Sequence, residues 1–247
     1  MSIRCNLHTG APRRSLWPSG CLSVKLVRPL DGIAYALAST LFFLVHPGLR
    51  TTPLGELSNL YVLPFACVVL SVFFLPGRVG RSVAYESIRW RLRLAGLAAL
   101  GLCPFVAWWL RARLDMYLMA VAALGLLAAI WFLQELAALL CVLTELGGDE
   151  MLRRRAGIAR LLLMFVLMAP VIAIAVTFAA ALAVNPAAGI FDVKRWWRVI
   201  PVGLQVAMLL PIVETWVILW LTRRLVARQA DTFAAAPAVQ RIGRAHT

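Results

Sequence analysis

The chain has 247 residues, of which 62% are hydrophobic and 15% charged, and a mean hydropathy of +0.84. A soluble domain of this size needs far more polar cover, because its surface-to-volume ratio is high and about a quarter of an average domain is charged. Disorder, a disulfide scaffold and an ordinary cytosolic enzyme are thereby excluded, and the net charge of +14 must be explained within a membrane-type composition.

Six apolar runs follow one another along the chain. They cover about Gly32 to Val45 (extendable to Pro47 and back toward Leu30), Leu57 to Leu75, Leu94 to Leu110, Met116 to Leu146, Ile158 to Val184 and Val199 to Leu221. A helix crossing the hydrocarbon core needs about 20 mostly apolar residues. The first run is the shortest and the fourth is unusually long. Apolar residues go all the way round each run, and none shows the ten-residue alternation of a membrane strand. The fold class expected is therefore all-α: a polytopic integral membrane protein with six transmembrane helices. Residues 1–29 form a basic N-terminal segment, 30–221 the membrane domain and 222–247 a basic tail. The first apolar run begins too late for a secretory signal, and no clean small-residue cleavage site follows it.

The basic residues orient this bundle. Alternate segments carry Arg4, Arg13, Arg14, Lys25 and Arg28; Arg78, Arg81, Arg89, Arg91 and Arg93; Arg153, Arg154, Arg155 and Arg160; and Arg223, Arg224, Arg228, Arg241 and Arg244. The remaining segments carry only Arg50, Arg111, Arg113, Lys194, Arg195 and Arg198. A bias of 19 to 6 places the first set and both termini in the cytoplasm by the positive-inside rule. It also accounts for the charge without nucleic acid. Trp108-Trp109 and Trp196-Trp197 fall at the outer interface and Trp90 at the inner one, where amphipathic rings anchor a bundle. The strong preference for arginine over lysine, with abundant alanine, suggests a GC-rich genome. The expected location is a bacterial inner membrane.

Two inner connections have further character. Residues 81–93 place Tyr85, Ile88 and Leu92 in a rough helical stripe among arginines, which predicts a short helix on the inner surface with Arg89, Arg91 and Arg93 near anionic lipid. After residue 146, Gly147-Gly148 predicts a turn. Asp149 and Glu150 then start a helix in which i, i+4 pairs with the following arginines are available. This segment could also dock a cytoplasmic partner.

Polar groups inside a membrane are expensive and point to function. Glu135 in the fourth run and Glu214 in the sixth fall at a similar depth, on the cytoplasmic side of centre. Ser71 lies near that level, Gln134 neighbours Glu135, and Gln205 lies above Glu214. Apart from Arg160, at the very start of the fifth run, no Lys or Arg lies within the runs themselves. If the two carboxylates faced each other they would share a proton, since burial and like charge both oppose the second ionisation. That would suit a transporter or permease-type component with an intramembrane proton or cation site. The alternative is a non-catalytic scaffold or assembly subunit of a membrane complex, with the acids facing separate helices and other membrane subunits as partners. Nothing points to an enzyme: H-E-x-x-H, G-x-S-x-G and G-x-x-x-x-G-K-[ST] are all missing. Five scattered cysteines and three distant histidines indicate no metal site or cofactor. Helix prolines recur at similar offsets in the two halves (Pro64 and Pro170, Pro104 and Pro211), but the offset fails for the first helix. Asn185-Pro186-Ala187 has no second copy and is read as a turn.

Overall fold

The computed structural model describes residues 21–45, 62–77, 79, 82–111, 116–168, 172 and 202–245. Among them there are six α-helices and no strand: α1 Cys21–Val45, α2 Val62–Phe73, α3 Val83–Arg111, α4 Met116–Gly147, α5 Glu150–Leu162 and α6 Val202–Ala245. A π-helical turn, Leu163–Met168, continues α5. The first 20 residues, Trp196-Trp197, Asn185-Pro186-Ala187 and the second half of the fifth apolar run lie outside the described residues.

Each apolar run with described residues coincides with a helix, but the helices outlast the runs. α1 begins well before Gly32, α3 includes the 83–93 segment, and α6 continues past Leu221. The polar extensions are rich in Arg, Leu and Ala, all good helix formers, so the backbone has no reason to stop where apolarity does. The boundaries at 29/30 and 221/222 therefore fall inside α1 and α6. Among the described residues, one helical stretch, Ala120–Gly147, is long and apolar enough to cross a membrane; Val62–Phe73 is apolar but shorter.

α4 is the axis of the bundle. It packs most extensively on α3 and also on α5 and α6, while α1 bridges α2 and α6. Phe132, Leu136, Leu139, Leu140 and Leu143 are all fully buried, as expected of a helix apolar on every side. Phe132 meets Phe65 of α2 edge to face, with 5.8 Å between centroids. Gly96 of α3 lets Phe132 approach: a Cβ there would lie 3.3 Å from the Phe132 ring. Hydroxyls buried in these interfaces are satisfied locally. Thr40, Thr144, Thr215 and Thr222 each donate to the carbonyl four residues earlier at 2.7–2.9 Å.

The turn expected at Gly147-Gly148 is present. Gly148 has φ 75°, its N–H donates to the Glu145 carbonyl, and the Asp149 N–H donates to the Thr144 carbonyl. That pair of bonds is a Schellman motif, and the left-handed residue is the one without a Cβ. Asp149 then caps α5, its carboxylate accepting from the Leu152 N–H at 2.9 Å. Glu150 pairs with Arg153 at 2.8 Å and Arg154 at 3.4 Å, the helical spacings expected of that segment. The exposed Glu150 carboxyl is held below the usual range, mainly by its hydrogen bond from Arg153.

Candidate functional site

The polar groups of the bundle are organised as pairs between helices. Glu135 is buried and its carboxylate lies 3.6 Å from the Arg91 guanidinium of α3. The two residues stand almost equally far from residues 112–115, which join α3 to α4, so antiparallel packing brings them level. Glu214 of α6 accepts from Arg155 of α5 at 3.0 Å. Asp31 of α1 holds Arg223 of α6 through two hydrogen bonds of 2.6 and 3.3 Å, bidentate and charge-assisted. This contact raises the Arg223 guanidinium above its usual range.

The two acids expected to lie within a membrane without basic neighbours thus each have one. Arg91 and Arg155 stand just outside the apolar runs, and their side chains are long enough to reach inward. Among the described residues no hydrogen bond or ion pair joins Glu135 to Glu214, and none joins either to Ser71. The Ser71 hydroxyl donates to the Cys67 carbonyl, and its side chain lies against Gly32 of α1. Gln134 is half-buried beside Glu135. Gln205 belongs to α6, but its side chain lies outside the described ones.

Arg89 and Arg93, expected near anionic lipid, also cap the end of α2. Arg93 donates to the Phe73 carbonyl at 2.6 Å, and both donate to the Leu75 carbonyl at 3.3–3.4 Å. These are the unpaired carbonyls at the end of α2, where cations are also favoured by the helix dipole. The guanidinium of Arg93 stacks 5.2 Å from the Phe73 ring, and burial pushes it below its usual range. Tyr85 completes the cap by donating to the Pro76 carbonyl at 3.1 Å. The stripe read from the sequence is real, but Tyr85, Ile88 and Leu92 face the core rather than a lipid surface. Trp90, on the opposite side, is exposed.

Of the residues that carry these contacts, Asp31 was not singled out by the sequence, while Arg155 and Arg223 were read only as orienting charges and Tyr85 only as part of a stripe. Asp31 had a usable signal, since it is an acid at the very edge of an apolar run and required a cation. No group of three or more His, Cys, Asp or Glu among the described residues is placed to hold a metal. One cleft is notable. It lies between α5 and α6, measures about 220 Å³, and is lined by Arg155, Arg224 and Arg228 together with Asp149, Leu152 and Leu221. Comparisons with protein-family models, with curated proteins and with solved structures give no match to this chain.

Proposed function

We propose that the protein is a six-span membrane protein of a bacterial inner membrane, with both termini cytoplasmic, that serves as a scaffold or assembly subunit of a membrane complex. Its exposed surface supports the membrane part of this reading. Phe42, Leu63, Leu70, Phe74, Leu124 and Phe165 are all more than half exposed along the helices. A large apolar exterior marks contact with lipid or with other proteins. The arginine bias supplies the orientation.

The observation that carries the scaffold reading is that each carboxylate expected to form a proton site is held by its own arginine on a neighbouring helix. A carboxylate in that position joins two helices. One detail favours the transporter reading as a second choice: Oε2 of Glu135 is buried with no hydrogen-bond partner. A buried carboxylate oxygen with no hydrogen bond is what a cation passing through the bundle would meet.

The test uses Glu135→Gln, Glu214→Gln and the double variant in purified protein. Latches on separate interfaces predict additive losses of stability, within about 0.5 kcal/mol, and no change in proton uptake near neutral pH. Abolition of one shared proton titration by either substitution would refute the scaffold reading and favour transport. Topology is tested separately with reporters at the C-terminus, in residues 147–157 and near Pro186 to Phe191. The first two should read as cytoplasmic and the third as external; an external C-terminus refutes the six-span model.

A further inference from the structure

The cleft between α5 and α6 is built from one face of each helix. On α6, Leu221, Arg224, Leu225 and Arg228 recur at i, i+3, i+4 and i+7, and α5 contributes Met151, Leu152 and Arg155 across from them. The two faces are held at a fixed separation from several directions. Arg155 is anchored by Glu214 at 3.0 Å, the Gln229 amide donates to the Gly147 carbonyl at 3.0 Å, and Asp149 is occupied in capping α5. Arg224 lies over the Trp220 ring at 5.6 Å. Neither Arg224 nor Arg228 has an ion-pair partner among the described residues, and both are exposed. Asp231, the acid nearest in sequence, stands three residues past Arg228, and no ion pair joins the two among the described residues; Glu150 is engaged by Arg153 and Arg154 and Glu214 by Arg155.

The cleft therefore offers two guanidinium groups without an ion-pair partner among the described residues, beside an apolar wall. Arginine presents a planar fork of donors that matches phosphate oxygens, which a point-like ammonium does not. The wall includes Met151, an unusually exposed side chain at 77%. On the six-span reading, Leu221 ends the last membrane run and α5 starts in a cytoplasmic connection, so the cleft opens at the inner interface. Basic pockets between helices on that side suit phospholipid headgroups, with the apolar wall accepting the first part of the acyl region.

We infer that this cleft binds a phosphate-bearing anion, the headgroup of an anionic phospholipid of the inner leaflet, through Arg224 and Arg228. The lipid source rests on the membrane reading above; the phosphate chemistry of the cleft does not. A free phosphate compound could satisfy the same arginines, and the experiment separates the two sources.

Purified full-length protein in a neutral detergent is titrated with mixed micelles containing cardiolipin, with micelles containing phosphatidylcholine, and with inorganic pyrophosphate in water. Saturable binding to cardiolipin micelles alone is expected. Arg224→Gln/Arg228→Gln should weaken it roughly 25-fold, about fivefold for each basic residue near an anionic surface. Arg154→Gln/Arg160→Gln removes the same charge from α5 outside the cleft; it keeps the donors that would meet the phosphate and should cost at least fivefold less than the cleft variant. Arg228→Gln alone, which breaks no contact among the described residues, should still cost about fivefold and keeps the test valid if the double variant fails to fold. Equal losses in the cleft and control variants would refute a built site, as would unchanged binding in Arg228→Gln. Pyrophosphate binding that depends on Arg224 and Arg228 and displaces no lipid would overturn the lipid source. Failure of the topology reporters with arginine-dependent pyrophosphate binding intact would instead overturn the membrane reading.

Discussion

The contact between Asp31 and Arg223 joins the first helix to the last and offers the sharpest test of how the bundle is held. Two hydrogen bonds of 2.6 and 3.3 Å connect the side chains, which are 26% and 30% exposed. The Arg223 guanidinium also stacks 5.3 Å from the Trp220 ring, which itself meets Tyr35 edge to face. One helical turn away, the Trp216 indole donates to the Ala34 carbonyl at 3.0 Å. An exposed ion pair contributes about 0–1 kcal/mol and a hydrogen bond to a charged group about 1.5–3 kcal/mol. This pair is bidentate and two-thirds or more covered, so a coupling energy of about 1–2 kcal/mol is expected. Arg223→Gln should cost more than Asp31→Asn, because it also removes the cation–π contact, a further ~0.5–1 kcal/mol. The assay is a double-mutant cycle on thermal unfolding in detergent, followed by tryptophan fluorescence. A coupling of this size corresponds to roughly 2–8 °C in Tm for a chain of this length. The exchange Asp31→Arg/Arg223→Asp should recover part of the loss, since it restores opposite charges in reverse order. A coupling below ~0.3 kcal/mol would show the two sites acting independently and refute the latch.

Three further outcomes follow from local geometry. Gly32→Ala should destabilise by about 1–3 kcal/mol, because its Cβ would overlap the Ser71 side chain of α2; Ser71→Gly in the same chain should restore Tm, and no restoration would mean the clash lies elsewhere. Burial raises the Tyr85 phenol above its ordinary value of 10.0, so its contribution to stability is complete below pH 10 and is lost as pH rises toward the folded value. Tyr85→Phe should cost about 1 kcal/mol at neutral pH through the lost bond to Pro76 and flatten the alkaline decline of Tm; an equally steep decline would exclude Tyr85 as its source. The depressed Glu150 carboxyl contributes above its unfolded value and loses that contribution as pH falls through the folded one, so Glu150→Gln should reduce the Tm difference between pH 6 and pH 3.

What the sequence made legible was set by short-range pattern. The helices along the apolar runs, the Gly148 turn and the pairs from Glu150 to the next turn depend on residues within a few positions of one another. The helix ends were less legible, because apolarity reports the environment while helix propensity continues through arginine and alanine. The stripe at Tyr85, Ile88 and Leu92 was visible, yet an amphipathic pattern says only that one side is apolar. Whether that side meets lipid or protein depends on how α3 folds back on α2, and the carbonyls of Phe73 and Leu75 decide it by drawing in Arg89 and Arg93.

The candidate site shows where one-dimensional reading ends. Glu135 and Glu214 were grouped by depth, and equal depth does not specify which neighbour a side chain faces. For Glu135 the partner was recoverable: α3 and α4 are joined by a short connection, so an antiparallel fold sets Arg91 and Glu135 at the same level. For Glu214 no such rule applied, because Arg155 is 59 positions away and the pairing of α5 with α6 is a tertiary choice. In both cases the cation came from the end of a run and reached inward. An inventory of charges inside apolar runs therefore overestimates how many are unpaired. On the membrane reading proposed above, three of the arginines that would orient the helices, Arg91, Arg155 and Arg223, also pair with acids of the bundle. Removing one would perturb orientation and packing together, and only cycles that pair it with its own carboxylate can separate the two effects.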